Sequence, residues 1–209
     1  MNRQLIIMSH PSGGTLTSVV LSEISIFYEK FGQEIVLRDL YKMGFNPVIS
    51  KEDIEASKSG SALEDVLKEQ KLVEKADLIT FIYPVWWTGM PAIMKGYIDR
   101  VFCEGFAYRQ DETGMKQPLN GKKVIIVNTS GKPGSPYMRG GVYDSTCAFC
   151  DKNIFDFLGM EVVMHYVLQD VDENTGYAEL KEKIWLLKQE IKKSVLLANN
   201  SRLSIPNPF

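Results

Sequence analysis

The chain has 209 residues and a formal net charge of −2. Its hydrophobic fraction of 44% and charged fraction of 24% are ordinary for a globular protein, which excludes disordered, collagen-like and coiled-coil chains. No global positive field favours nucleic acid or an anionic membrane, and no segment approaches the ~20 apolar residues of a membrane span. The weak net charge indicates a small-molecule partner. The three cysteines are an odd number in a chain long enough to fold without disulfides, so we expect a reducing, cytoplasmic compartment.

The pattern of apolar residues predicts strands that alternate with helices along the chain. Short, continuous apolar runs predict strands at Leu5–Met8, Glu34–Leu40, Asp77–Tyr83, Lys123–Asn128 and Glu161–Val167. Apolar spacings of three and four predict helices at Thr17–Phe31, Ala62–Lys75, Ala92–Phe102, Cys147–Leu158 and Ala178–Leu197. Turn residues and charges predict loops at Phe45–Gly60 and Gly105–Lys122.

This alternation predicts one α/β domain over residues 1–209, with a flavodoxin-like, doubly wound parallel sheet and helices on both faces. The expected order of the five strands is 2-1-3-4-5. Such sheets bind ligands beyond the carboxyl ends of the strands, beside the point where the order reverses. Here those ends are the loops at residues 10–17, 84–90 and 129–137.

The first loop precedes a helix, whose free N–H groups and dipole favour an anion. Its candidate phosphate-binding residues are His10, Thr15, Leu16 and Thr17. The loop lacks both the Walker A lysine pattern and the three-glycine dinucleotide fingerprint, so it would be a phosphate cradle of another kind. The alternative is that Thr15 or Thr17 only caps the helix and His10 is an ordinary loop residue.

The second and third loops offer flat and small groups at the same edge. Two adjacent indoles, able to flank an aromatic ligand, stand within Pro84, Val85, Trp86 and Trp87. The alternative is that one of these indoles packs beneath the following helix. Hydroxyls and close main-chain approach come from Thr129, Ser130 and Gly131, although alone this is only a turn-rich loop. Together the three loops predict a phosphate-bearing planar cofactor, which in this topology indicates a flavin.

Cys147 and Cys150 form a CxxC pair, which raises zinc binding and thiol redox chemistry. No second pair of cysteines exists, and His165 falls inside a predicted strand, so a four-ligand zinc site is not expected. We expect the two thiols to face the core, with a redox-active pair as the alternative.

A long segment from Tyr83 to Phe102, followed by Gly-Phe-Ala-Tyr at residues 105–108, closely resembles the flavodoxin-like NAD(P)H quinone reductases. A second segment, Asp39–Ser50, is similar to the stretch after the second strand of that family. The resemblance covers Leu5 to about Val167. It implies a homodimer with flavins at the subunit interface, reduced by NAD(P)H and reoxidised by a quinone in a ping-pong reaction.

The resemblance also implies roles for individual residues. The three strand-end loops would hold the flavin, and Tyr137 would hydrogen-bond its pyrimidine edge. Phe106 and Tyr108, together with Trp87, would line the pocket for nicotinamide and quinone. The Asp39–Ser50 match favours FAD, whereas the short segment after Tyr177 favours FMN.

The sequence departs from the family at one catalytic position. Family members pair the tyrosine with a histidine a few residues later, but residues 138–143 read Met-Arg-Gly-Gly-Val-Tyr. Tyr137 or Tyr143 could still stabilise the anionic reduced flavin by hydrogen bonding. No metal is expected in the site.

Other functions on the same fold stay open. An azoreductase, a nitroreductase or a reducer of iron chelates would differ only in the oxidant. A flavodoxin-like ancillary subunit that regulates a potassium efflux system would bind the cofactor while docked on another protein. A flavodoxin-like electron carrier is less favoured, because the net charge is too small for strong electrostatic docking.

Overall fold

The structure, a computed structural model, describes residues 3–130, 147–148, 150–171 and 174–200, with side chains of the last helix as far as residue 197. Its strands are β1 Arg3–Met8, β2 Glu34–Asp39, β3 Leu78–Pro84, β4 Arg109–Asp111, β5 Gly114–Lys116, β6 Lys123–Thr129 and β7 Glu161–Leu168. Its α-helices are α1 Leu16–Lys30, α2 Lys51–Lys58, α3 Glu64–Lys75, α4 Ala92–Val101 and α5 Tyr177–Asn200. Among these helices, none combines the length and apolar character that a membrane crossing requires.

Five parallel strands form the central sheet in the order β2-β1-β3-β6-β7. The strands β4 and β5 form a separate antiparallel hairpin. Without that hairpin the order is 2-1-3-4-5, so the predicted doubly wound topology is confirmed. The order reverses between β1 and β3, because the chain leaves β1 towards β2 and leaves β3 towards β6.

Successive strand residues point to opposite sides of the sheet. Both faces therefore carry apolar side chains, and helices cover both faces. Leu5 and Ile7 of β1 join a core with α3 and α4, whereas Ile6 and Met8 join a core with α1 and α5. All seven residues of β3 and all seven of β6 are buried, as expected for central strands of a parallel sheet.

Three local elements differ from the sequence predictions. The predicted loop Phe45–Gly60 contains α2, whose start is fixed by a capping box in which Ser50 and Asp53 bond to each other's backbone N–H groups. The predicted loop Gly105–Lys122 contains the β4–β5 hairpin. Within the predicted helix Cys147–Leu158, the segment Asp151–Asp156 is π-helical.

The pairing of β6 with β7 contains a β-bulge. Val124 pairs with Val162 and the next residue, Ile125, pairs with Met164, so Val163 is an extra residue in β7. Bulges of this kind are rare between parallel strands and frequent beside functional sites.

Arg100 of α4 ties three segments together from a buried position. Its guanidinium donates to Asp53 of α2 at 2.8 Å and to Asp65 of α3 at 2.7 Å. It also donates to the carbonyl oxygen of Asn46 at 2.9 Å. The planar fork satisfies several acceptors at once, which is why arginine suits a buried ionic position.

Gly96 of α4 allows the backbone of the preceding loop to come close. A Cβ atom at this position would lie 2.1 Å from the carbonyl oxygen of Pro47, which is far inside contact distance. Glycine is therefore required here by packing rather than by its backbone conformation.

We expect Gly96→Ala to lower the free energy of unfolding by about 1 to 3 kcal/mol, because the added methyl group must displace backbone atoms. Urea denaturation followed by circular dichroism measures the change. Gly13→Ala is a matched control, since a Cβ at Gly13 meets nothing within 4 Å. Equal stability of the two variants would contradict the packing role of Gly96.

Candidate functional site

The three strand-end loops meet in the structure. The hydroxyl of Thr17 lies 2.8 Å from the hydroxyl of Thr129, and both side chains are buried. The backbone N–H of Val85 donates to the carbonyl oxygen of Thr129 at 2.9 Å. The rings of His10 and Trp86 stand edge to face with centroids 6.2 Å apart. The sequence prediction that these loops share one rim is therefore supported by direct contacts.

The first loop leaves the start of α1 open to an anion. Thr15 is the N-cap, and its hydroxyl accepts from the N–H of Ser18, as the capping interpretation expects. The first turn of α1 contains no acidic residue, whereas the first turns of α2 and α3 each contain two. Leu16 and Thr17 are the first helical residues, so their N–H groups belong to the set that has no partner within the helix. A negative group beyond this end would meet no opposing carboxylate in the turn.

His10 is turned towards its own loop. Its Nδ1 lies 2.9 Å from the backbone oxygen and 3.1 Å from the backbone nitrogen of Ser12. With Nδ1 engaged in this way, Nε2 is the ring nitrogen that can face a ligand.

The second loop forms a tight turn that displays one indole. Trp86 and Gly89 exchange two backbone hydrogen bonds, and the central residues Trp87 and Thr88 have φ values of 49° and 61°. Positive φ at both central positions defines a type I′ turn, which costs energy for a tryptophan and a β-branched threonine. Trp87 is 88% exposed and Trp86 is 40% exposed, so neither indole is packed beneath α4.

The third loop is described only in part. The N–H of Ser130 donates to the carbonyl oxygen of Leu168, so Ser130 would reach a ligand through its hydroxyl rather than its amide. Gly131, Tyr137 and Tyr143 lie outside the described residues. Their assigned roles stay predictions.

Tyr108 lies apart from the rim, and Phe106 packs against the core of α3 and α4. The ring of Tyr108 contacts that of Phe157 with centroids 5.4 Å apart. Tyr108 also lines a cavity of about 340 Å³ between α2, α4 and the π-helical segment. Of the described residues in the strand-end loops, none lines this cavity.

The rim fits a phosphate-bearing planar group. The open start of α1 is suited to a negatively charged phosphate. The exposed indole of Trp87 is suited to the face of an aromatic ring. At the end of β1 the hydroxyl of Ser9 is buried and has no hydrogen-bond partner within the described part of the chain. An unpaired buried hydroxyl is uncommon, and a water or ligand that completes the site is one explanation for such a group.

A polar cluster that sequence reasoning missed lies beneath the turn of Trp86 to Gly89. His165 lies at its centre, with Nδ1 2.8 Å from Asp151 Oδ1 and Nε2 2.7 Å from Asn128 Oδ1. The sulfur of Cys147 lies 3.5 Å from the same Nε2. His165, Asn128 and Cys147 also line a small cavity. The other residues that line it are Tyr83, Val85, Thr88, Gly89 and Cys150.

The geometry holds His165 in its charged form. The amide of Asn128 donates to the carbonyl oxygen of Tyr83, which directs its oxygen at the imidazole. Both ring nitrogens therefore face oxygen acceptors, an arrangement that favours the doubly protonated imidazolium. Burial alone would lower the pKa of His165, but the hydrogen bonds and charges of Asp151 and Cys147 raise the pKa to about 9.

Comparison with known proteins identifies relatives of the chain. The model of the flavodoxin-like fold family Flavodoxin_2 matches residues 2–192. An uncharacterized NAD(P)H oxidoreductase from Haemophilus influenzae is 34% identical over 168 residues, which cover 80% of this chain and 83% of that protein. NAD(P)H dehydrogenase [quinone] 1 from Rattus norvegicus is 35% identical over 160 residues, covering 68% of this chain but only 58% of the rat protein.

A solved structure shows the same similarity in three dimensions. The NAD(P)H:quinone oxidoreductase from Methanothermobacter marburgensis superposes with a TM-score of 0.80 at 25% sequence identity. The superposition covers 90% of this chain and 96% of that one.

The hydroxyl pair of Thr17 and Thr129 gives a testable prediction. Thr17→Val or Thr129→Val leaves the other hydroxyl buried without its partner, so each should lower the free energy of unfolding by about 1 to 3 kcal/mol. The double variant should cost clearly less than the sum, because it removes both groups together. Urea denaturation of the four proteins closes the cycle, and strict additivity would show that the two hydroxyls do not interact.

His165 predicts a loss of stability as pH rises. Its pKa is about 9 in the folded chain and 6.5 ordinarily, so unfolding between these values releases a proton. This contribution is complete below pH 6.5 and is lost as pH rises through 9, with a total of roughly 3 kcal/mol. Denaturant unfolding between pH 6 and 10, in the presence of reductant, measures the slope.

Asp151→Asn is the matched variant for this pH series, since it keeps the hydrogen bond to His165 and removes the charge. Its slope should be much smaller than that of the unaltered protein. The chain has two histidines, so an NMR titration with His10 as internal reference reads the His165 pKa directly. A value near 6.5 would contradict the assignment.

Proposed function

The chain belongs to the flavodoxin-like fold family, and on this premise we propose that it is a flavin-dependent NAD(P)H:quinone oxidoreductase with a ping-pong mechanism. The observation that carries the proposal is the meeting of an open helix start, a displayed indole and a hydroxyl-bearing loop at the point where the strand order reverses. The names of the similar proteins from Haemophilus influenzae and Rattus norvegicus support the same class of reaction.

A flavin bound at this rim would supply the redox chemistry, taking a hydride from the nicotinamide and passing two electrons to the quinone. The chain's own contribution is to bind and to orient. The start of α1, with Thr15 and Thr17, would hold the phosphate, and His10 Nε2 would donate to it. Neither group needs to move, because Thr15 is fixed as the cap and Thr17 is held by Thr129.

The turn at Trp87 would hold the planar ring. The two ends of this turn are joined by backbone hydrogen bonds, so the backbone that carries the indole is held in place. The hydroxyl of Ser130 would donate to the edge of the ring, where negative charge develops during reduction. Gly131 and one of the two tyrosines, Tyr137 or Tyr143, would complete that edge.

A homodimer accounts for the position of Tyr108. Within one protomer its ring lies by the cavity of α2 and α4 rather than at the rim. If Tyr108, together with Phe106, lines the nicotinamide and quinone pocket, it does so across an interface, at the rim of the second copy. Light scattering measures the mass of the protein in solution, and a monomer that turns over at full rate would contradict this arrangement.

The first experiment is the absorbance spectrum of the purified protein between 300 and 550 nm under anaerobic conditions. Flavin bands that bleach with NADPH and return with menadione would support the proposal. Mass spectrometry of the released cofactor distinguishes FAD, which the Asp39–Ser50 similarity favours, from FMN. A colourless protein that binds neither flavin would overturn it.

Replacement of the displayed indole tests the proposed ring contact. Trp87→Ala should weaken flavin retention about fivefold or more, because an aromatic contact of this kind contributes ~1 kcal/mol beyond the area it buries. Thermal stability of the flavin-free protein should change little, since Trp87 is 88% exposed. Trp185→Ala is the control, because Trp185 is an exposed indole on α5, outside the three loops. Equal flavin content in both variants would count against the contact.

A further inference from the structure

Cys147 and Cys150 have no part in the proposed reaction, yet they share one cavity. Both thiols line the small cavity beneath the Trp86–Gly89 turn, where His165 is also found. Cys147 is half-buried, and Cys150 is buried. Within the described residues, no three His, Cys, Asp or Glu side chains stand in positions that could hold a metal ion. The reactive groups of this cluster are therefore its two thiols.

The surroundings of the two thiols differ in a way that gives them different roles. The sulfur of Cys147 lies 3.5 Å from Nε2 of His165, so an N–H group faces this sulfur where it would react. Asp151 holds the ring from its far side, at 2.8 Å from Nδ1. In contrast, burial raises the pKa of the Cys150 thiol to about 11, and the adjacent charge of Asp151 adds to the effect. Cys150 therefore remains a neutral thiol.

We propose that Cys147 and Cys150 form an oxidation site, in which a peroxide reacts at Cys147 and Cys150 then closes an intramolecular disulfide. The proposal does not depend on a bound flavin. The separation of three residues places both side chains on one side of a helical turn, and both line the same cavity, so a small local adjustment would bring the sulfurs together.

Two steps account for the atoms and electrons. The Cys147 thiolate attacks one oxygen of hydrogen peroxide, the O–O bond breaks, and sulfenic acid and hydroxide form. The hydroxide formed in the first step takes the proton of Cys150 and becomes water. The Cys150 sulfur then attacks the Cys147 sulfur, forming the S–S bond, and the sulfenic oxygen leaves as hydroxide. Two electrons pass from the two sulfurs to the peroxide, and a cellular thiol reductant restores the dithiol.

The experiment uses Cys103→Ser protein, in which Cys147 and Cys150 are the remaining cysteines. The protein is treated with EDTA and then with hydrogen peroxide, alkylated with iodoacetamide and digested with trypsin. Both cysteines fall in one peptide, between Arg139 and Lys152. The expected product is that peptide with two hydrogens fewer and no alkyl groups. A fully alkylated peptide, a disulfide between two chains, or sulfinic acid at Cys147 would overturn the proposal.

Variants test the order of the two steps. In Cys150→Ser protein, dimedone should trap a sulfenic acid at Cys147, whereas Cys147→Ser protein should give no adduct at Cys150. Asp151→Asn should slow alkylation of Cys147 at neutral pH by about tenfold, because the imidazole beside this sulfur loses the carboxylate that holds it. His165→Gln should act in the same direction, and Asp151→Asn keeps the test valid if that variant fails to fold. Unchanged alkylation in both folded variants would exclude activation by His165.

Discussion

The central strands β3 and β6 are buried at every position, and this constraint decides where the chemistry of the chain can be. A polar side chain inside such a sheet is costly unless it is paired. Thr80 is paired with Tyr28, Thr129 with Thr17, and Asn128 with His165. Groups that bind a ligand therefore gather at and beyond the carboxyl ends of the strands, where the reversal of strand order after β1 and β3 leaves a gap between the following helices.

Much of the fold follows from local pattern. The runs that form β1, β3 and β6 are short, apolar and rich in β-branched residues, and strands of this kind suit the middle of a parallel sheet. Alternation with helices then restricts the topology to a few possibilities. The strand-end loops were predictable for the same reason, because they follow directly from the ends of the strands. Whether the whole chain is one domain stays a prediction.

The parts that could not be predicted depend on distant residues or on subtle local signals. The helix α2 has a polar sequence with no buried residue, so apolar spacing does not indicate it, although Ser50 and Asp53 are a readable capping signal. The cluster around His165 joins residues from four separate segments, and the spacing of these residues along the chain does not predict that they come together. His165 entered the sequence analysis only as an argument against a four-ligand zinc site, and its hydrogen-bond partners place it at the centre of a polar cluster.

The extra residue in β7 decides on which side of the sheet His165 stands. Val162 packs with the core of α3 and α4, whereas Val163 and Met164 both pack with the core of α1 and α5. His165 therefore returns to the side of Val162, where Asn128 of β6 meets it. With regular alternation after Val162, the imidazole would point to the opposite layer, among apolar side chains and away from Asp151 and Cys147. The inserted residue thus reverses the side of the sheet to which the following residues of β7 point. A relative whose strand lacks this one residue would keep the fold and lose the cluster.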